Sequence, residues 1–227
     1  MTDRSHVSPA ARADSDRRCL WCRVPLEVTQ LKWCSKRCRQ TAWRARRLAS
    51  REYSDDTTKR LAYADPPYPG LAHYYRDQPT FSGEVDHGRL LEQLATYDGW
   101  ALSTSRKALR DVLSLAPGGD ELIVAPWVKT HHRPKSRGPA NIHEYVVVRP
   151  ARRKLNGPPD ALVAAAARGG DSDLIGRKPL RFVFWVFELL GASPGDDLDD
   201  LFPGSGVVGR CWCEFVRASS DGTGVVR

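Results

Sequence analysis

The sequence predicts an α/β domain, a largely parallel sheet covered by helices, preceded by a small metal-stapled module. Three observations carry this expectation. From residue 61 onward, short apolar runs alternate with stretches of helical periodicity, the rhythm of strand and helix units. Ahead of them, two close cysteine pairs sit in a basic stretch. At 227 residues the chain can bury one α/β core and still carry an appendage.

Residues 1–17 are polar, lack apolar periodicity and are expected to be a disordered leader. A compact module over 18–50 and a polar linker over 51–60 (REYSDDTTKR) follow. The main domain is expected over 61–217, with a frayed tail over 218–227. Within it, "RLAYAD" and "GWALST" read as buried strands, and "HGRLLEQLATY" as an amphipathic helix between them. "SRKALRDVLSLA" is a second helix, with Ser105 in the N-cap position and "PGGD" as its stop signal. "ELIVAPWV" and "HEYVVVRP" are strands joined by a polar loop. Residues 151–176 lose this rhythm and read as a long loop with one short alanine-rich helix. "PLRFVFWVFELLGA" is a strongly apolar helix, "DDLDDLF" contains a short strand, and "PGSGVVGRCWCEFV" is a glycine-rich turn entering a helix.

The charge is uneven. Residues 1–60 hold 15 Lys/Arg against 7 Asp/Glu and the remainder 20 against 20, so the whole net charge of +8 belongs to the first quarter. Such an appendage suits a polyanionic partner, most simply nucleic acid, or else a solvated arm. No run of about 18 apolar residues and no signal peptide are present, so a soluble protein without a membrane partner, located in the cytoplasm, is expected.

Cys19-Leu-Trp-Cys22 and Cys34-Ser-Lys-Arg-Cys38 are separated by eleven residues. Two such knuckles place four thiolates around one tetrahedral zinc, and a reducing compartment favours metal over disulfides. With four cysteines the coordination sphere closes, so this zinc is structural. The helix that follows, "RQTAWRARRLASR", carries Arg39, Arg44, Arg46, Arg47 and Arg51 with Trp43. The unit resembles small treble-clef-like zinc fingers of bacterial and phage proteins, which implies a basic module contacting phosphates, with a protein contact as the open alternative. Cys211 and Cys213 lie far away in an apolar context and read as small buried hydrophobes.

Asp65-Pro66-Pro67-Tyr68 stands at the C-terminal end of a strand, where open sheets bind their ligands. Asp200-Leu201-Phe202-Pro203-Gly204-Ser205-Gly206 also follows a short strand, and Lys178-Pro179 heads the apolar helix before it. In this order the motifs over residues 60–217 resemble the permuted (beta) group of S-adenosylmethionine-dependent DNA amino-methyltransferases, and so a Rossmann-like sheet with helices on both faces. The resemblance implies transfer of a methyl group from S-adenosylmethionine (SAM) to an exocyclic amine, with adenine N6 favoured because the motif begins with Asp. Cytosine N4, RNA as substrate, and a non-catalytic nucleic-acid-binding protein on a degenerate scaffold are the alternatives.

The chemistry needs these residue types. An exocyclic amine is a poor nucleophile because its lone pair is delocalised into the ring. Hydrogen bonds from its N–H groups to the Asp65 carboxylate and the Pro66 carbonyl draw the nitrogen toward sp³. The Pro66-Pro67 step aims that carbonyl, because proline fixes φ. Tyr68 stacks on a base taken out of the duplex. By the same resemblance Asp200, Phe202, Gly204 and Gly206, with Lys178 and Pro179, line the cofactor pocket, the glycines admitting close backbone approach. Enzymes of the group usually hold the cofactor ribose with an acid on a further strand; Glu214, in a helical context, is the nearby candidate here. Residues 129–154 carry 8 Lys/Arg against one Glu. Within them His131, His132, Arg133, Lys135 and Arg137 read as a DNA-backbone contact surface, with a solvated loop as the alternative.

Overall fold

A computed structural model describes residues 17–19, 22, 24–27, 29–49, 57–76, 83–117, 119–130, 140–153, 157–166 and 178–220. Six strands form one sheet: β1 (Arg60–Ala64), β2 (Gly99–Thr104), β3 (Ile123–Val128), β4 (His143–Arg149), β5 (Leu162–Val163) and β6 (Asp197–Asp200). Their order across the sheet is β5-β3-β4-β2-β1-β6. Pairings of β1 with β2, β1 with β6 and β3 with β5 are parallel, while β4 runs antiparallel to both β2 and β3. The sheet is thus largely parallel with one reversed strand. The reversal follows from the connection: a parallel return needs a long crossover, usually helical. β3 and β4 are hydrogen-bonded neighbours, and the Lys129 amide donates to the Ile142 carbonyl at 2.7 Å, carrying the antiparallel pairing past Val128 and His143.

Helices α1 (Lys36–Ala49), α2 (His87–Ala95), α3 (Leu109–Leu115), α4 (Leu180–Leu190) and α5 (Val207–Ser220) cover the sheet on both sides. Side-chain alternation sorts them. Leu61 and Tyr63 of β1 face a core shared with α4, α5 and Ala45 of α1; Ala62 and Ala64 face one shared with α2 and α3. Asp86 caps α2 by accepting the Arg89 amide at 3.1 Å. Ser105 performs the expected local role one turn early: its hydroxyl accepts the Ala108 amide and its carbonyl the Leu109 amide, and α3 begins at Leu109.

α4 is apolar almost all round, with Phe182, Val183, Phe184, Trp185, Val186, Phe187, Leu189 and Leu190 buried. A helix of that kind must be covered on both sides. The sheet covers one and α1 with α5 cover the other. α1 is therefore part of the body. Cys38, Thr41, Ala42 and Ala45 form a buried stripe at helical spacing, and the small residues let α1 approach α5 closely. Ser35 caps this helix by accepting the Cys38 amide at 3.2 Å.

Three sequence expectations need correction. Within residues 151–176, expected to be a loop with one short alanine-rich helix, Leu162–Val163 form β5, a strand paired with β3, while 154–156 and 167–176 lie outside the described residues. There the Trp127 indole donates to the Ala164 carbonyl at 3.0 Å, tying the segment to the sheet. α5 continues to Ser220, three residues into the stretch expected to fray. Cys211 is buried as expected, but Cys213 faces solvent on the next part of the same helix.

At the N-terminal ends of β1 and β6, Arg152 and Asp196 form a buried two-pronged ion pair with N–O distances of 2.7 and 2.8 Å. Asp196 also accepts the amides of Lys59 and Ser193 at 2.9 and 2.7 Å, and Arg152 donates to the carbonyls of Thr57 and Gly191. With its lone pairs and protons satisfied, this pair closes one end of the sheet. The motif residues lie at the other end.

Candidate active site and cysteine cluster

β1 and β6 are neighbours in register Tyr63↔Asp200, so Asp65 and the glycine turn leave adjacent parallel strands at the same sheet end. A bond from the Leu201 amide to the Tyr63 carbonyl, 2.9 Å, carries the pairing past the last strand residue. Beneath them Tyr63 is buried, its hydroxyl 2.8 Å from that of Ser103 on β2. Pro66 is buried and Pro67 and Tyr68 half-buried. Tyr68-Pro69-Gly70-Leu71 is a tight turn, with the Leu71 amide donating to the Tyr68 carbonyl at 2.8 Å. Gly70 takes φ +75°, the left-handed value a proline-led turn of this kind requires at its third residue. Glu84 then receives the Gly70 and Ala72 amides at 3.3 and 3.4 Å, pinning the far side of the loop.

Lys178 is brought to Asp65 itself. Its Nζ lies 2.8 Å from each carboxylate oxygen, and the lysine side chain is only 6% exposed. It also lies over the rings of Trp127 and Phe182, 6.0 and 5.8 Å from their centroids. Burial pushes the Asp65 carboxyl up, opposed by the Lys178 charge and hydrogen bond, with Glu144 adding to the rise and Lys129 opposing it. Burial, then the charges of Asp65 and Glu144, raise the Tyr68 phenol well above its usual range. Tyr68 therefore stays neutral. Pro179 is the N-cap of α4, extended at φ −72° and ψ 150°, and so fixes where Lys178 leaves the helix.

Asp200 has both carboxylate oxygens buried without a hydrogen bond, as is the hydroxyl of Thr104, the last residue of β2. Burial raises the Asp200 carboxyl to about 6, opposed by the neighbouring Phe202 amide and helped by the Asp65 charge. A buried acid left without partners is the donor set a cationic or hydrogen-bonding ligand group would complete. Phe202 packs on the α2/α3 side of the sheet. Gly204 and Gly206 take φ +46° and +67°, and the Gly206 amide closes the turn on the Pro203 carbonyl at 2.6 Å. Glu214 pairs with Arg217 along α5 at 3.1 Å.

Two residues missing from the sequence reading complete the site. Glu144 of β4 accepts the Tyr68 hydroxyl at 3.0 Å and lies 3.5 Å from Lys178; Lys129, just past β3, makes a close ion pair with it. Burial works to raise Glu144, but Lys178 and Lys129 outweigh it and hold its carboxyl below the usual range. One signal was legible: Glu144 is the lone acid in the basic stretch 129–154.

The four Sγ atoms of Cys19, Cys22, Cys34 and Cys38 converge to within 4.8 Å of one another. The first pair sits on a small hairpin, closed by the Cys19 amide on the Val24 carbonyl at 2.8 Å and the Leu26 amide on the Arg17 carbonyl at 2.9 Å. The second enters α1. Cys34 Sγ lies 3.4 Å from that of Cys22 and 3.5 Å from that of Cys38. Zinc–sulfur bonds of about 2.3 Å imply tetrahedral edges near 3.8 Å, so the thiols suit that ion.

Of the expected nucleic-acid contacts, Arg39 and Arg44 are exposed on the outer face of α1 with Trp43, which is 58% exposed. Arg46 and Arg47 lie on the last part of α1, their side chains outside the description. His131, His132, Arg133, Lys135 and Arg137 fall outside the described residues; Lys129 and His143, which flank that loop, stand at the Asp65 end of the sheet. Among the described residues no helix is long and apolar enough to cross a membrane.

No protein-family model and no curated protein matches the chain. Among solved structures it is similar to the M1.HpyAVI–SAM complex at 16% identity, over 70% of this chain and 79% of that one, with a TM-score of 0.44. It is likewise similar to M1.HpyAVI in a second structure at 14% identity, over 70% and 77% of the two chains, with a TM-score of 0.45.

Proposed function

We propose that this protein transfers a methyl group from SAM to the exocyclic amine of a base in DNA, with adenine N6 as the target. The observation that carries the reading is the convergence of Asp65, Lys178 and the Asp200 turn at one end of the sheet, from positions as far apart as 65 and 206. Asp65 is the acceptor for the amine N–H, its carboxylate aimed by Lys178. The Pro66 carbonyl is the second acceptor, and the neutral Tyr68 ring is the plate on which the base stacks. SAM supplies an electrophilic methyl group on a cationic sulfonium. The unpartnered Asp200 and the turn through Gly206 fit the hydrogen-bonding end of that cofactor, with Phe202 and Pro179 as walls.

The cysteine cluster holds a structural zinc in this reading, with the exposed Arg39 and Arg44 of α1 directed to phosphates. Arg46, Arg47 and the histidine- and arginine-bearing loop 131–137 extend that surface. The domain boundaries at 18, 51 and 61 belong to the same proposal, modified by the packing of α1 on α5.

The test offers SAM labelled in its methyl group with DNA and with RNA, followed by nucleoside analysis. N6-methyladenine in DNA is the expected product. N4-methylcytosine, or label in RNA alone, replaces the target but keeps the chemistry. No label in either polymer, together with no heat of SAM binding, overturns the reading in favour of a nucleic-acid-binding scaffold.

A further inference from the structure

Glu144 belongs to none of the motifs that point to the site, yet three of the site's elements meet on its carboxylate. It is the second residue of β4, opposite Trp127 in the sheet register. One oxygen pairs with Lys129 at the end of β3. The other accepts the Tyr68 hydroxyl at 3.0 Å and lies 3.5 Å from the Lys178 Nζ. Lys178 in turn reaches both oxygens of Asp65 at 2.8 Å.

Resting on the methyl-transfer reading above, we propose that Glu144 is a positioning residue of this site. It fixes the Tyr68 ring through the phenol hydroxyl, and it shares the Lys178 charge with Asp65, which weakens the ammonium's hold on the Asp65 oxygens that the incoming amine needs.

The chemistry of each partner argues for both roles. A tyrosine ring has two free torsions, and a stacking plate works only if they are set before the base arrives. The hydroxyl bond to Glu144 holds the far end of the ring while the turn through Gly70 holds its backbone. Lysine has three N–H donors on one compact charge. A second carboxylate beside it takes a share of that charge; without it the ammonium's pull on Asp65 would grow and compete with the amine for the same oxygens. The exposures of Lys178 and Glu144, 6% and 18%, keep these contacts from the screening that weakens surface pairs. Glu144 stays an ionised acceptor because Lys178 and Lys129 outweigh its burial.

The two roles separate by substitution. Glu144→Gln keeps an acceptor for Tyr68 and removes the charge, so kcat should fall about tenfold while KM for DNA stays within twofold. Tyr68→Phe removes the hydroxyl, so KM for DNA should rise about tenfold with little change in kcat. Glu144→Ala should show both effects, and adding Tyr68→Phe to it should worsen KM no further. Single variants that leave both constants within twofold of the parent overturn the proposal. A second readout needs neither DNA nor cofactor: the ring carbons of Tyr68, observed by NMR with labelled tyrosine and assigned with Tyr68→Phe. They should move toward free-tyrosine positions in Glu144→Ala and stay near parent positions in Glu144→Gln. A Tyr68 signal that does not move in Glu144→Ala overturns the positioning role whatever the activity. A parent protein that methylates nothing while that signal moves overturns the methyl-transfer reading and supports the Glu144–Tyr68 placement.

Discussion

The cysteine cluster and the Asp65 site are built on opposite principles. The four thiols lie within twenty residues of one another in the chain, on a hairpin and the first turn of a helix. Local geometry alone brings them together. Asp65 and Lys178 are 113 residues apart, and Tyr68 and Glu144 are 76 apart. Those contacts exist only because the end of β1 and the beginnings of β4 and α4 meet at the same place. The two regions are nevertheless mechanically joined, since α1 leaves the cluster and buries Thr41, Ala42 and Ala45 against α5 and α4. The comparison teaches that a small four-cysteine module need not be an appendage: its helix packs on the apolar helix that Lys178 precedes.

The largest expected effect bears on the long-range site. Asp65→Ala removes the proposed acceptor for the amine and a carboxylate beside the buried Lys178; methyl transfer by protein that calorimetry shows to be folded should fall by about 10²–10³-fold, accompanied by the loss of stability that breaking a buried ion pair brings. Retained activity would break the contrast by moving the chemistry elsewhere. Next comes the clamp at the opposite sheet end. Asp196→Ala removes the carboxylate that takes two of the buried Arg152 hydrogen bonds and the amides of Lys59 and Ser193, and should cost about 3–5 kcal/mol in denaturant unfolding.

The joining of the two regions is tested by Cys34→Ser, or by a chelator that would strip a metal from the four thiols. Because α1 shares the core of α4 and α5, the main unfolding midpoint should drop by about 5–10 °C in a single transition. A separate low-temperature transition that leaves the main midpoint in place would show instead that the module folds as an independent appendage. The smallest effect is in pH dependence. Asp200 keeps its proton in the folded state up to about 6, above the carboxylate value near 4 expected when unfolded. Between those values the folded protein binds more protons than the unfolded one, so this group makes stability fall as pH rises through the window. Asp200→Asn should remove that part of the slope, measured as the difference between parent and variant unfolding curves from pH 4 to 7. An unchanged difference would show that Asp200 is not the buried acid described.

Much of the site was legible because its parts are local signatures. The proline pair after an apolar run, the glycine turn after a short strand and Lys178-Pro179 ahead of an apolar helix each mark an element's end. What was not legible is which ends face each other. Lys178 reads as a pocket-lining residue and turns out to lie on Asp65; Glu144 reads as one acid among many bases and turns out to join Tyr68, Lys129 and Lys178. The stretch near residue 162 failed for a related reason. Leu162 and Val163 carry too short an apolar run to mark a strand, and it is their pairing with β3 that makes them one.

By itself the sequence determined the local groupings of the candidate sites, since thiol spacing and the residues that follow each strand are written in neighbouring positions. It determined most of the elements too, because periods of 2 and 3.6 residues are written in neighbouring side chains. Only the tertiary structure decided the direction of β4, the docking of α1 and the shared ion network around Lys178. Those depend on strand order and helix packing, which alternating patterns leave open: a buried face specifies that it must be covered and does not specify by which element.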